Sequence, residues 1–234
     1  MKLFRNLRMS FINAENFKKY AVYAIGEILL VMVGISLAFQ LDNWNEERIK
    51  LNTAKGHYKN IKDQISSDKI LIEGQITYNT AFLEMFDYAN KLIETNNRTQ
   101  LDTLGVIVGN LTQYSDFNKE GNIYETMVNS GEIKLLKNLD VVNGLRILEE
   151  KYHYMNRMEK IHYDAMIMYV VSSITEIIKF SNGEVIDEEA LFSVQFQNLI
   201  LSILQIMEEK DQVYKEALNE IANLTHFLDQ ELQN

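Results

Sequence analysis

Residues 20–41 read YAVYAIGEILLVMVGISLAFQL, and between Ala21 and Phe39 the only charged side chain is Glu27. An α-helix rises about 1.5 Å per residue, so a run of this length crosses a hydrocarbon core of about 30 Å. Tyr20 and Tyr23 mark one end and Trp44 lies just past the other. These are the amphipathic aromatics that settle at the two membrane–water interfaces. The run predicts a transmembrane helix. A cleaved secretory signal fits less well, because its apolar region is about 7 to 15 residues and ends in small residues. Here Phe39 to Trp44 reads FQLDNW.

Charge orients the span. The first 20 residues carry a net +4, residues 21–41 carry −1 and the remainder −13, which together account for the net −10. Basic flanks stay in the cytoplasm, so residues 1–19 are expected inside and residues 42–234 outside, in the periplasm of a cell with two membranes. Leu3, Phe4, Leu7 and Phe11 share one helical face against Lys2, Arg5 and Arg8, a basic amphipathic pattern suited to lying in the interface. Asn13 suits an N-cap for the span. The next most apolar run, Ala165 to Ile178, is interrupted by Ser172, Ser173, Thr175 and Glu176 and reads as a core helix.

The acidic outer part argues against a nucleic-acid partner, since binding phosphate needs a basic face. The chain has no cysteine, which excludes disulfides, thiolate chemistry and cysteine metal sites. It has no proline and ten glycines, and that favours long uninterrupted helices. Apolar residues recur at Tyr58, Ile61, Ile65, Ile72, Ile76, Phe82 (or Leu83), Phe86 and Ala89, mostly at spacings of three, four or seven, the signature of one buried helical face. A polar break follows at Thr95 to Arg98, then a short helix from Leu101 to about Gln113. A helix start is expected at Asn122, with Glu125 completing a capping box, and its end at Ser130-Gly131. A long helix from about Leu139 to Phe180 carries Val142, Leu145, Leu148, Tyr152, Met155, Ile161, Ala165, Met168 and Ile174 inward. After a turn at Asn182-Gly183, Asp187 caps a last helix from about Glu188 to Leu232, with Leu199, Ile203, Ile206, Tyr214, Ala217, Ile221, Leu224 and Leu228 inward. The expected fold is all-α: an N-terminal transmembrane helix followed by an elongated antiparallel helical bundle.

Within the span, Glu27 is the costly residue. An ionised carboxylate in hydrocarbon costs several kcal/mol, so such groups face protein or water, or take up a proton. Glu27 and Gly34 share a face, Gly34 and Ala38 form a small-xxx-small pair, and Gly26 flanks them. Small residues allow close helix approach and a polar side chain bonds across it, so Gly26, Glu27, Gly34 and Ala38 form the expected packing or docking face. Proton carriage by Glu27 is the alternative role.

Elsewhere the chemical motifs are weak. Glu159 and His162 form an E-x-x-H pair and Glu149 and His153 sit four apart, but the di-iron bundle template needs two E-x-x-H pairs plus two further glutamates, and no second pair exists. A solvated or core-edge position is the expectation for both residues. The stripe Tyr152, Tyr154, Met155, Met158, Tyr163, Met166, Met168 and Tyr169 reads as core packing rather than a ligand pocket. No G-x-S-x-G, H-E-x-x-H or Walker loop is present. Neither catalytic residues, metal ligands nor a cofactor are expected.

Two stretches carry a resemblance. Tyr23-Ala24-Ile25-Gly26-Glu27-Ile28, Gly34-Ile35, Gln40-Leu41 and Asn43-Trp44-Asn45-Glu46 resemble the N-terminal signature of a domain-of-unknown-function family of single-pass membrane proteins from Bacteroidota. Tyr124-Glu125-Thr126-Met127-Val128-Asn129-Ser130-Gly131, followed by Leu135, Leu136, Lys137 and Asn138, resembles that family's second segment. The resemblance implies a Gram-negative inner membrane and no particular activity. The functional expectation is a non-enzymatic membrane-anchored scaffold or adaptor, with the lipid bilayer and either its own copies or another inner-membrane protein as partners. The alternatives are a ligand-sensing bundle, or an accessory subunit of an ion-coupled complex using Glu27.

Overall fold

A computed structural model describes residues 14–119 and 121–233. The amphipathic segment expected over residues 1–12, the Asn13 cap and the side chain of Tyr20 lie outside the described residues. The chain divides into two compact units, residues 1–53 and 54–234. The boundary falls just before Ala54, the first buried residue among those described.

The first unit is helical throughout its described length. Helix α1, Ala14–Glu94, contains the stretch apolar enough to cross a membrane, and none of that stretch is buried. Nothing breaks the helix, because the chain has no proline and Gly26, Gly34, Gly56 and Gly74 are all spanned in helical conformation.

The second unit is all-α apart from one short hairpin. It takes in the part of α1 beyond residue 54, then α2 (Leu101–Gly109), α3 (Ile123–Ser130), α4 (Leu139–Ala165), a π turn (Met166–Val170), α5 (Val171–Ile177), the antiparallel strands β1 (Ile178–Lys179) and β2 (Glu184–Val185), the single turn α6 (Glu188–Leu191) and α7 (Val194–Gln233). Direction is read from the cross-links. Asn138, Lys151 and Tyr154 of the α4 region meet Glu231, Glu216 and Glu209 of α7, so these helices are antiparallel. Tyr58 and Asp68 of α1 meet Asn138 and Tyr152, so α1 and α4 run parallel. The bundle is therefore not antiparallel throughout, because residues 95–138 carry the chain back before α4 begins.

Two apolar clusters fill the interior. One gathers Ala54, Tyr58, Ile61, Ile65 and Ile72 of α1 with Leu145, Leu148, Tyr152 and Met155 of α4 and Tyr214, Ile221, Leu224 and Leu228 of α7. The other gathers Phe86, Ala89 and Ile93 with Leu104, Val108, Val170, Ile174, Ile200, Ile203 and Met207. Between them lies a polar layer: Asn79 on α1, Ser115 in the loop, Glu159 and His162 on α4, and Lys210 on α7 are all buried.

Several local expectations are corrected. The long helix ends at Ile177 rather than Phe180, because residues 178–185 turn back as a hairpin with Asn182-Gly183 at its tip. Inside it the π turn inserts an extra residue per turn and shifts the helical phase, so Met168 is 64% exposed while Met166 and Val170 are buried. Ile161 is also exposed, since the inward position beside it belongs to His162. Asn122 makes no side-chain cap; Gln64 of α1 accepts the Ile123 N–H instead, at 3.2 Å. Asp187 does cap, accepting from Ala190 N–H at 2.9 Å, but its helix stops at Leu191, and Ser193 starts α7 by accepting from Phe196 N–H. Gly131 takes φ 77° at the end of α3, the left-handed conformation that favours glycine there.

Gly105 is the tightest backbone contact. A Cβ at this position would lie 1.9 Å from the Gly183 carbonyl oxygen at the hairpin tip. Gly105→Ala is therefore expected to lower stability by about 1–3 kcal/mol, the cost of overpacking. Denaturant unfolding measures it. An unchanged midpoint contradicts the close packing of α2 on the hairpin.

Candidate functional site

On the apolar stretch of α1, no other element among the described residues is brought against the expected face. Glu27, Gly34 and Ala38 are exposed on α1, as is Gly26, and a Cβ at Gly26 or Gly34 meets nothing within 4 Å. Tyr23 is 79% and Trp44 64% exposed, and the Arg48 guanidinium lies 5.4 Å from the Trp44 ring. A helix that is apolar all round and unburied needs a non-aqueous surrounding or a partner.

In the helical unit the buried polar layer is a connected network. It starts from the residue types that fall on the inward stripe. On α4 the inward stripe runs Leu145, Leu148, Tyr152, Met155, Glu159, His162 and continues to Met166 of the π turn; on α7 it runs Ile203, Met207, Lys210, Tyr214, Ala217. Glu159, His162 and Lys210 thus occupy core positions, at 3%, 0% and 1% exposure. The expectation of a solvated or core-edge E-x-x-H pair is corrected: both residues are interior, and their partners explain how.

Glu159 Oε1 accepts the backbone N–H of Phe117 at 2.7 Å and the Tyr214 hydroxyl at 2.5 Å. Lys210 Nζ donates to the Ser115 carbonyl at 2.7 Å and contacts His162 Nδ1 at 3.3 Å. The Tyr214 hydroxyl also lies 3.3 Å from Ser115 Oγ, and Ser115 Oγ donates to Asn79 Oδ1 at 3.4 Å. Asn79 Nδ2 donates to the Met207 carbonyl at 2.9 Å. The loop carrying Ser115 and Phe117 is thereby fastened to all three long helices. An ammonium can only donate, so His162 Nδ1 is the acceptor and the ring proton sits on Nε2, which meets no partner among the described residues.

Burial sets the electrostatics, because removal from water disfavours whichever form is charged. Burial and then the nearby Lys210 hold His162 down to about 3. Burial lowers Lys210 to about 8, against the pull of Glu159. Burial raises Glu159 above the usual carboxylate range, and the bonds from Tyr214 and Phe117 and the charge of Lys210 pull it partly back. The Tyr214 phenol is pushed well up by burial and by Glu159. Shifts in one connected cluster are what functional sites and structural networks share.

Above Glu159 the surface opens into a groove of about 420 Å³ lined by Tyr114, Asp116, Phe117, Asn118, Asn156, Lys160 and Tyr163. The aromatic and methionine stripe therefore divides. Tyr152, Met155, Met158 and Met166 are core, Met168 and Tyr169 are exposed, and Tyr163 lines the groove. A second constellation, Glu125, Glu149 and His153, places three potential ligand atoms within 4.8 Å of one another. There Lys119 pairs with Glu149 and supplies the positive charge itself.

No family model, curated protein or solved structure matches the chain.

Proposed function

We propose that this protein is a non-enzymatic scaffold or adaptor of a bacterial inner membrane. Its basic N-terminus lies in the cytoplasm, α1 crosses the bilayer over residues 20–41, and residues 42–234 stand in the periplasm. It works by holding a second copy or another membrane protein, using the span face of Gly26, Glu27, Gly34 and Ala38. Membership of the Bacteroidota family suggested by its anchor signature belongs to the same reading.

One observation carries the proposal. The spanning stretch is unburied along its whole length, and Glu27 sits exposed on it with no hydrogen bond or ion pair among the described residues. A carboxylate at that depth costs several kcal/mol if it faces lipid. A neighbouring helix that approaches across Gly34 and Ala38 removes the cost and gains packing. The helical unit offers open surface grooves, which suits a surface-acting role.

The test is recovery of the full chain, with its associates, from detergent-solubilised native membranes. A second copy or one defined membrane protein is expected to co-purify, and Glu27→Gln or Gly34→Leu is expected to reduce that recovery severalfold. A chain that emerges alone, or association untouched by both substitutions, overturns the reading.

A further inference from the structure

Glu159 has one oxygen that the fold does not use. The residue is 3% exposed, yet it lines the groove of about 420 Å³. Both donors that hold its carboxyl, Phe117 N–H and Tyr214 O–H, fall on Oε1. Among the described residues no donor meets Oε2. Oε2 faces the groove, where an acceptor on an otherwise buried side chain is open to a donor from outside.

The groove's own cations are turned elsewhere. Lys160 directs its ammonium to Asp164, at 2.7 and 3.0 Å. Lys210, behind the groove, is engaged by the Ser115 carbonyl and His162 and offsets part of the Glu159 charge. Asp116 adds a further carboxylate at the rim, its backbone N–H already given to Gln75. The amides of Asn118 and Asn156 complete the polar lining. The remaining wall is aromatic: Tyr114 and Tyr163 meet edge to face with ring centroids 5.5 Å apart, and Phe117 lies beside them. Carboxylate acceptors set among aromatic faces suit a guest that is both a hydrogen-bond donor and a cation, because each attraction strengthens the other in a partly desolvated site.

We propose that this groove binds a small primary ammonium, with the ammonium on Glu159 Oε2 and the attached alkyl chain against Tyr163 and Phe117. The site is independent of the span and adds a ligand to the scaffold reading. A scaffold with no associates can still bind the amine, and the reverse, so the two readings fail separately.

Titration calorimetry of the full-length chain in detergent tests it, with n-butylammonium as probe and n-butanol and glucose as uncharged comparisons. The expected result is saturable binding of n-butylammonium about tenfold or more tighter than n-butanol, the minimum for one charge-assisted hydrogen bond. Glu159→Gln keeps an acceptor for Phe117 and Tyr214 and is expected to weaken the ammonium about tenfold without changing n-butanol. Tyr163→Leu, at an exposed ring, and Asp116→Asn are each expected to weaken it severalfold with an unchanged melting temperature. These two variants keep the test decisive if Glu159→Gln folds poorly. Equal affinity for n-butylammonium and n-butanol overturns the proposal, as does preference for glucose or ammonium binding unaffected by Tyr163→Leu and Asp116→Asn.

Discussion

Acidification from pH 6.5 to 3 is expected to remove roughly 5 kcal/mol from the stability of the helical unit through His162 alone. His162 is wholly buried. In the unfolded chain its imidazole takes up a proton near 6.5, whereas in the fold burial and the adjacent Lys210 hold it off until about 3. That interval at about 1.4 kcal/mol per pH unit gives the figure. The sign follows from proton binding: between these values the unfolded state holds more protons, so the stability is fully present above pH 6.5 and lost as pH falls towards 3. Glu159 acts in the opposite sense. Its pKa is raised, so its share is present below the ordinary carboxylate value and lost as pH rises through the raised one. The useful measurement is therefore a difference. Urea unfolding of the solubilised full-length chain, followed by circular dichroism at pH 7, 5 and 4, is compared with His162→Asn, which keeps an acceptor for Lys210 but does not titrate. The native chain is expected to lose several kcal/mol more than the variant over this range. Parallel losses contradict a buried, neutral His162.

Glu159→Ala is expected to cost about 3–5 kcal/mol, because it strands two buried donors at about 1–3 kcal/mol each and removes a negative charge near a buried ammonium. Three groups suffer together. The Phe117 N–H and the Tyr214 hydroxyl lose their acceptor, and the buried Lys210 ammonium loses its nearby negative charge. For a domain of this size such a loss lowers the melting temperature by about 6–20 °C. Glu159→Gln retains an acceptor for both donors and is expected to cost about 1–2 kcal/mol. Thermal unfolding distinguishes the two. Equal effects of Ala and Gln contradict the assignment of both donors to Oε1.

The bundle was legible because most of its inward stripe is apolar. Ile61, Ile65 and Ile72 on α1, and Ala217, Ile221, Leu224 and Leu228 on α7, recur at heptad spacing and are all buried. The polar layer was not legible from hydrophobicity, because Glu159, His162 and Lys210 score as surface residues wherever they fall. Register was the signal that could have found them. Glu159 continues Leu145, Leu148, Tyr152 and Met155 at the correct interval, and Lys210 sits between Met207 and Tyr214 on the same stripe of α7. A charged residue on a core position asks for a buried partner. No local pattern could say that the partners come from Ser115 and Phe117, in a loop 42 residues before Glu159 and 95 before Lys210. The π turn also left no mark in the sequence, since an inserted residue changes helical phase without changing composition. The stretch apolar enough to cross a membrane was legible in its length and composition, and Gly26, Glu27, Gly34 and Ala38 lie exposed on it.

The central claim is that this open face is occupied in the membrane. Photo-cross-linking in native membranes tests it directly, with a photoreactive amino acid placed in turn at Leu30, Ala38, Met32 and Ser36 of the full-length chain. Helical geometry puts Leu30 and Ala38 beside the Glu27–Gly34 face and Met32 and Ser36 on the far side. The account predicts a single discrete protein adduct from Leu30 and Ala38 and none from Met32 and Ser36. No adduct from any position, or equal adducts all around the helix, would contradict it.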